Sequence, residues 1–422
     1  MINRAMLSIV HPFLYDARNL KALASVKVLS DSERDDFLPY VGNFFSCSNE
    51  GDVRAISLGS FNVEMKSKIS ANTTGEQAIE SGKIYFLTHG IGILTLSYPF
   101  DSLEETDFAK IQRMLCRLDK VNTTVFRATS TTDVNDAIWL SAKEWYSSLV
   151  SPYLTLDENE RCSFNPFNRS SIISSSILAV GRDYPDKPAF MEALLLNRRL
   201  DKGENGSFLA DSVHRVRQSE SIESFGNSTG VVYLCRDSGN EFSRIGVFDV
   251  YGKNYLLVFL ITVYQQVRIQ TLIEKSSRII APNQSTNAVK ELKAEILTYL
   301  ARYDFTQISH NPARNLLYKF FRRNFELKEL LEEVSTITKK IDQEIEAENT
   351  HIHAKKVQKG EKIALILEVL ILPYYLHHII ELIVKYFSAD EHLIHEVSFW
   401  GTAGVTITVI LSIQVLLRVF RK

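Results

Sequence analysis

Two long apolar stretches near the C-terminus limit the possible folds of this chain more than any other feature. They cover residues 363–387 and 400–420, and each is long enough to cross a hydrocarbon core of roughly 30 Å as one helix. The connection between them, 388–399, is too short to form a domain. The two stretches therefore predict a membrane hairpin of two transmembrane helices. The alternative is a buried helical hairpin in a soluble protein.

The charged residues around these stretches predict the orientation in the membrane. Basic residues precede the first stretch and close the second: Lys355, Lys356, Lys359, Lys362, Arg418, Arg421 and Lys422. The connection has no lysine or arginine and carries Asp390, Glu391 and Glu396. By the positive-inside rule, both termini of such a multi-pass protein are expected to lie in the cytoplasm. The acidic residues, repeated around an oligomer, would concentrate cations outside.

Polar residues within the first stretch predict a pore-lining helix. At about 100° per residue, one side of the helix collects Ile363, Leu367, Leu370, Tyr374, His377, His378 and Glu381. The inner, apolar half of this side can gate by dewetting, and the outer, polar half can meet an ion. In the alternative, Glu381 pairs with Lys385 and the histidines bond neighbouring helices. Because two helices cannot enclose a channel, a pore requires a homo-oligomer.

The sequence predicts three regions before the apolar stretches. Residues 1–250 form a mixed α/β domain, residues 251–311 form a helical part of that domain, and residues 312–362 form a stalk. Short β-branched and aromatic runs predict strands at 55–63, 83–98, 231–235 and 245–250. Amphipathic patterns predict helices at 105–121, 134–149 and 288–303. The polar segment 197–230 indicates a long loop.

Two further helices follow from the pattern after residue 250. The apolar run that begins at Asn254 is too short to span a bilayer and predicts a buried helix. A long helix is expected from Pro312, which suits a first turn capped by Asn311 or Ser309, through to residue 387. A stripe at three- and four-residue spacing indicates coiled-coil-like packing of this stalk: Leu327, Leu330, Val334, Ile337, Ile341 and Ile345.

Composition and motifs exclude several classes of function. The net charge of -2 argues against a nucleic-acid-binding surface. The four cysteines have no CxxC spacing, so a zinc site, a redox pair and a disulfide framework are not expected. We find no GxSxG, HExxH or Walker pattern, and an enzyme anchored by a hairpin is therefore not expected either. His351 and His353 could bind a metal, but the sequence offers them no neighbouring ligands.

The outline of the chain resembles the CorA family of metal-ion transporters. The resemblance rests on "YDFTQISHNPARNLLYKFF", the charged stalk and the hairpin, and covers the chain from about residue 297 onwards. It implies an α+β cytosolic domain, a long stalk helix and two transmembrane helices in a funnel-shaped homopentamer, with Mg²⁺ or another divalent cation as cargo. The family's Gly-Met-Asn triplet is missing, because Phe387, Ser388 and Ala389 follow Tyr386. Housekeeping magnesium uptake is therefore not expected.

Divergent CorA-like proteins that lack the triplet are similar to membrane effectors of bacterial antiviral defence, some beside type III CRISPR systems. The alternative function is thus an effector that permeabilises the inner membrane when its cytosolic domain binds a signalling nucleotide. Candidate ligand-binding residues form a basic group, for which a solvated loop is the favoured alternative: Arg198, Arg199, Lys202, Arg215 and Arg217. The segment "THGIGIL" at 88–94 holds a fragment of a phosphate-cradling pattern, or else a strand kink.

Overall fold

The computed structural model describes residues 1–15, 37–44, 54–67, 74–119, 124–129, 139–153, 171–197, 212–279, 286–387 and 391–420. The chain divides into two compact units, which are Met1–Thr338 and Lys339–Lys422. The division falls inside the predicted stalk. The predicted strands and helices of the mixed α/β region belong to the N-terminal unit, and both apolar stretches belong to the C-terminal unit.

The N-terminal unit is built on one large mixed sheet. Its described strands are β1 Ile2–Leu14, β2 Arg54–Ser67, β3 Thr74–Phe86, β4 Ile91–Leu103, β5 Thr124–Thr129, β6 Leu140–Ser141, β7 Ile173–Val180, β8 His214–Arg217, β9 Ile222–Asn227 and β10 Gly230–Arg236. Their order is β6-β5-β2-β3-β4-β1-β7-β10-β9-β8. The pair β7–β10 is parallel, and the other neighbouring strands are antiparallel.

Helices connect and cover these strands. The described helices of the N-terminal unit are α1 Pro39–Phe44, α2 Glu105–Cys116, α3 Ala142–Val150, α4 Pro188–Leu195, α5 Tyr255–Ile279, α6 Thr286–Arg302 and α7 Pro312–Asn324. Helix α8, Leu327–Phe387, begins in this unit and continues into the C-terminal unit, which also contains α9, Glu391–Phe420. Asn311 caps α7 as the sequence predicts, because its Oδ1 accepts a hydrogen bond from the Ala313 amide at 2.9 Å.

Successive side chains of the central strand β1 point to opposite faces of the sheet, and both faces are buried there. Leu7, Ile9 and Phe13 lie on one face, in a core shared with α2, α3 and α4. Met6 lies on the other face. A methyl group added to Gly252 would be 3.0 Å from the Sδ atom of Met6, so this face contacts the segment that contains Gly252. Gly252 belongs to a helical segment, 242–254, that leads directly into α5. The N-terminal unit therefore has three layers, with helices on both sides of the sheet.

The long helix 242–279 confirms the prediction of a buried helix but corrects its length. Among the described residues it is the one helix with the length and apolarity to cross a membrane, and 83% of its most apolar window is buried in the unit. Because it begins at Phe242 and spans 38 residues, the expectation that it is too short is wrong. A core helix of a soluble protein meets the same criteria, and this helix packs as a core helix.

Three local predictions are wrong. The strand expected at 245–250 is helical, because its apolar residues continue the periodicity of α5. The loop expected at 197–230 contains β8 and β9, whose polar residues pair as antiparallel neighbours. The strand expected at 83–98 is the hairpin β3–β4, turned at Thr88–Gly90.

The expected continuous helix from 312 to 387 is two helices. It is interrupted at Glu326, whose φ of 51° lies in the left-handed region. The Glu326 amide donates to the Arg323 carbonyl at 3.1 Å, which closes the last turn of α7. After this break, α8 continues for 61 residues. Leu327, Val334 and Ile341 of the predicted stripe are buried at heptad spacing.

Candidate functional site

The apolar surface of the C-terminal unit is its most distinctive feature. Large apolar side chains are exposed along α8 between residues 363 and 386: Ile363, Leu365, Leu367, Ile371, Tyr375, Leu376, Ile379, Ile380, Leu382, Ile383 and Tyr386. At about 100° per residue they point in every direction around the axis. On α9, Phe399, Trp400, Ile407, Ile410 and Leu411 are exposed as well. A helix that is apolar all round belongs in a core or in a membrane, and here the surface lies open.

The predicted pore-lining residues all lie on α8. Ile363 and Leu367 are exposed, as is His378, and His377 is half-buried. The side chains of the remaining three, Leu370, Tyr374 and Glu381, lie outside the described part of the chain. Their role in lining a pore stays a prediction.

The His377 ring contacts the second helix of the hairpin. A methyl group added at Gly401 of α9 would overlap the imidazole, with the closest approach at Nδ1. Only glycine lets the two helices approach at this point. This is a packing contact between the two helices, and the role of His377 in lining a pore stays a prediction.

Most of the predicted outer loop, 388–399, is helical, and its position outside a membrane stays a prediction. Helix α9 begins at Glu391, so that most of the segment forms its first turns. Of the predicted cation-attracting residues, Glu396 is exposed, Asp390 lies outside the described residues, and the side chain of Glu391 is not described.

The sheet edge brings part of the predicted basic group together. Arg215 on β8 donates to Glu223 on β9 at 2.8 Å and to Asp186 at 3.0 Å. Arg236 on β10 lies 3.3 Å from the same Glu223 carboxylate, and Arg217 lies 3.8 Å from it. The other predicted members, Arg198, Arg199 and Lys202, lie outside the described residues.

The electrostatics of this Glu223 cluster follow from its geometry. Burial opposes ionisation of Glu223, but hydrogen bonds and charges from Arg215 and Arg236 outweigh it and lower the pKa of the carboxyl. Among the described residues, three guanidinium groups face two carboxylates, those of Glu223 and Asp186, so this part of the cluster has an excess of positive charge. Arg217 is the most exposed of the three cations. Such an arrangement can accept one further anionic group, and phosphate suits guanidinium geometry well.

The glycines of "THGIGIL" serve the turn and the core. Gly90 has a φ of 72°, and a methyl group there would lie 2.9 Å from the Tyr15 carbonyl oxygen. A methyl group at Gly92 would overlap the ring of Phe13. Both positions therefore need glycine for backbone conformation and packing. Of the two alternatives for this segment, a strand kink fits the geometry better than a phosphate-cradling loop does.

His89, at the tip of this turn, joins a polar network that the sequence analysis missed. The Tyr264 hydroxyl on α5 lies 2.9 Å from Nδ1 of His89 and 2.9 Å from the Thr88 hydroxyl. One turn further along α5, Arg268 donates to Glu295 of α6 at 2.7 Å. Burial, followed by the charge of Arg268, lowers the pKa of His89 to about 4. The polar residues inside the otherwise apolar α5 were the available signal.

A surface cavity of about 500 Å³ lies at the start of α7 and was also missed. It is lined by Gln307, Ser309, His310, Pro312, Asn315, Leu316 and Lys319. Asn315 shapes its floor, because its Oδ1 accepts from the Ile308 and Ser309 amides at 3.0 and 3.2 Å. Within the described residues, no group of three His, Cys, Asp or Glu side chains could hold a metal ion.

Comparisons with known proteins leave the family of this chain unassigned. No protein-family model matches the sequence, and no curated protein matches it. The chain is weakly similar to the solved structure of the full-length CmaX protein, with 14% sequence identity and a TM-score of 0.21. That similarity covers 56% of this chain and 89% of CmaX. An overlap of this size does not establish a shared fold.

Proposed function

We propose that the chain is one subunit of a homo-oligomeric, CorA-like ion channel or transporter of the bacterial inner membrane, gated from its N-terminal unit. The apolar surface around residues 363–386 of α8 carries this proposal. Burying one leucine or isoleucine side chain stabilises a protein by about 1.5–3 kcal/mol. Burial of the whole surface would contribute more than the net stability of a typical domain, about 5–15 kcal/mol, and exposure to water forgoes that contribution. A bilayer supplies the burial, and the basic flanks then favour a cytoplasmic position for both termini.

Polar side chains within the apolar segment support an oligomer with an aqueous path. Ionisable groups inside a bilayer nearly always face a bundle interior or water. His378 is exposed on α8, and copies of the chain arranged around an axis could direct it inward. The CorA resemblance implies a pentamer and a divalent cation as cargo. Without the Gly-Met-Asn triplet, the proposed pore is not a housekeeping magnesium transporter.

The continuity of α8 supports gating from the N-terminal unit. The helix begins at Leu327, which is buried, and ends at Phe387 in the apolar segment. In this proposal a displacement of the first turns of α8 is passed along the same helix to the pore. In this scheme the chain is not an enzyme, and its ligands act by shifting the equilibrium between closed and open states.

Ion flux through liposomes that contain the full chain tests the proposal. The variant Ile363→Ser with Leu367→Ser makes the expected inner constriction polar and should increase the basal flux. The matched control, Leu365→Ser with Leu376→Ser, removes a similar apolar surface from the opposite side of α8 and should leave the basal flux near that of the wild type. A wild-type chain that stays monomeric in water without detergent, or that shows no flux in any state, refutes the proposal.

The Glu223 cluster favours a second candidate function, a membrane effector of antiviral defence opened by a signalling nucleotide. Its excess positive charge and the exposed Arg217 suit a phosphate group. Dye efflux from loaded liposomes, with and without a panel of cyclic oligonucleotides, separates the two functions. Efflux that requires a nucleotide and weakens in Arg217→Gln supports the effector, whereas metal-selective flux without nucleotide supports the transporter.

A further inference from the structure

Three lysines on α8 differ from the earlier lysines of that helix in their surroundings. Lys355, Lys356 and Lys359, here called the lysine cluster, are all exposed. They lie within a face about 100° wide, since each residue advances a helix by about 100°. Lys359 is four residues before the exposed Ile363, where the apolar surface begins.

The helix offers the lysine cluster no acidic neighbour. Side chains meet on a helix at spacings of three and four residues. Around the three lysines those positions hold His351, Ile352, His353, Gln358, Lys359, Gly360, Lys355, Lys356, Lys362 and Ile363. Like charges at such spacings repel each other and destabilise the helix. An anion from outside the helix would relieve this repulsion.

The earlier lysines of α8 have the opposite pattern. Lys328 lies 3.8 Å from Glu332, four residues on. Lys339 has Asp342 three residues on, and Lys340 has Glu344 four residues on. Each of the earlier lysines thus has an acidic residue at such a spacing, and lysines without one appear only next to the apolar surface.

The position along the axis matches the headgroup layer of a bilayer. With a rise of 1.5 Å per residue, the cluster lies about 6–12 Å from Ile363. The headgroup layer is about 5–8 Å thick on each side, and a lysine stem is flexible enough to bring the ammonium group to phosphate level.

We propose that the lysine cluster binds the headgroups of anionic phospholipids in the cytoplasmic leaflet. This rests on the proposed function, because it requires that residues 363–387 cross a bilayer. Charge complementarity selects the occupant: the surface is cationic and adjoins an apolar one, and an anionic lipid supplies both a phosphate and acyl chains. Lipid binding there anchors α8 at a fixed depth.

Binding of phosphatidylglycerol to the full chain in phosphatidylcholine nanodiscs tests the proposal. One lysine near an anionic surface changes the affinity about fivefold. The variant K355Q/K356Q/K359Q should therefore bind phosphatidylglycerol at least about fivefold more weakly than the wild type. The matched control K328Q/K339Q/K340Q loses the same charge from the same helix and should bind as the wild type does. K355R/K356R/K359R keeps the charge and should retain binding.

Equal weakening in the test variant and the control overturns the proposal, because it shows a response to net charge alone. Unchanged binding in the test variant also overturns it. If that variant dissociates the oligomer and binds lipid normally, the lysines pair with acidic groups of a second copy, and the lipid proposal is wrong. A wild-type chain that enters no nanodisc, of phosphatidylcholine alone or mixed with phosphatidylglycerol, refutes the proposed function itself.

Discussion

The substitution Glu223→Gln tests whether one buried carboxylate organises the basic sheet edge. The change keeps the shape of the side chain and removes its charge. Glu223 is 5% exposed and lies 2.8 Å from Arg215, 3.3 Å from Arg236 and 3.8 Å from Arg217. The amide also places a donor where the guanidinium groups need an acceptor. The substitution leaves three cations close together with Asp186 as their carboxylate.

The expected loss follows from the exposure of each partner. A hydrogen bond to a charged group contributes about 1.5–3 kcal/mol when it is shielded from water. Arg215 is 41% exposed, so solvent screening reduces its share to about 1 kcal/mol. Arg236 is 18% exposed and contributes about 1–2 kcal/mol. Arg217 is 63% exposed and adds little. The sum is about 2–3 kcal/mol, or a fall of about 3–4 °C in Tm for a unit of the size of Met1–Thr338.

Thermal unfolding of the full chain, followed by tryptophan fluorescence, measures this loss. The control Glu220→Gln removes the same charge from an exposed position of the preceding turn and should change stability by less than about 0.5 kcal/mol. Folding lowers the pKa of Glu223 below its ordinary value of 4.5, so its contribution is present above that pH and is lost as the pH falls through the lower folded value. Equal Tm values for the two variants would refute the reasoning.

Three further predictions concern the backbone and the polar network. Glu326→Gly should raise the free energy of unfolding by about 0.5–1 kcal/mol, because glycine accepts the left-handed φ of 51° without strain. Gly92→Ala should lower it by about 1–3 kcal/mol through overlap with the ring of Phe13; urea titration measures both. Folding lowers the pKa of His89 from 6.5 to about 4, so the wild type should lose stability as the pH falls across that range. His89→Asn, which tolerates the left-handed backbone, should flatten this dependence of Tm on pH.

Each of these predictions has a matched control. Glu329→Gly, inside α8, should lower stability by about 1 kcal/mol, and a gain there would contradict the reasoning for Glu326. Gly181→Ala meets nothing within 4 Å and should be tolerated; a loss equal to that of Gly92→Ala would show that overlap is not the cause. Exposed His310→Gln should keep the wild-type dependence on pH, and an unchanged slope in His89→Asn would refute the role of that ring.

The sequence predicted the mixed α/β class, a buried helix from the apolar run that begins at Asn254, the capped start of α7 and the stripe of α8. These features depend on neighbours a few residues apart, so that periodicity and capping residues suffice to find them. The strand expected at 245–250 was wrong because a short apolar run fits a strand and a buried helix equally well. Burial against the sheet selected the helix.

The residues of the candidate sites, in contrast, are far apart in the sequence and are brought together by tertiary contacts. His89 and Tyr264 are 175 positions apart, and Arg215, Glu223 and Arg236 lie on three adjacent strands. No local pattern could bring them together, because strand register and the packing of α5 decide which side chains meet. Gly401 and His377 were likewise paired by the packing of two helices.

The sequence by itself determined that the last sixty residues or so are apolar and flanked by positive charge, because hydropathy and net charge add up residue by residue. Tertiary structure alone decided that the apolar helix 242–279 is buried in the N-terminal unit while the apolar part of α8 lies exposed. Two helices of similar composition differ in environment because a sheet face covers one of them, and composition does not encode what will cover a surface.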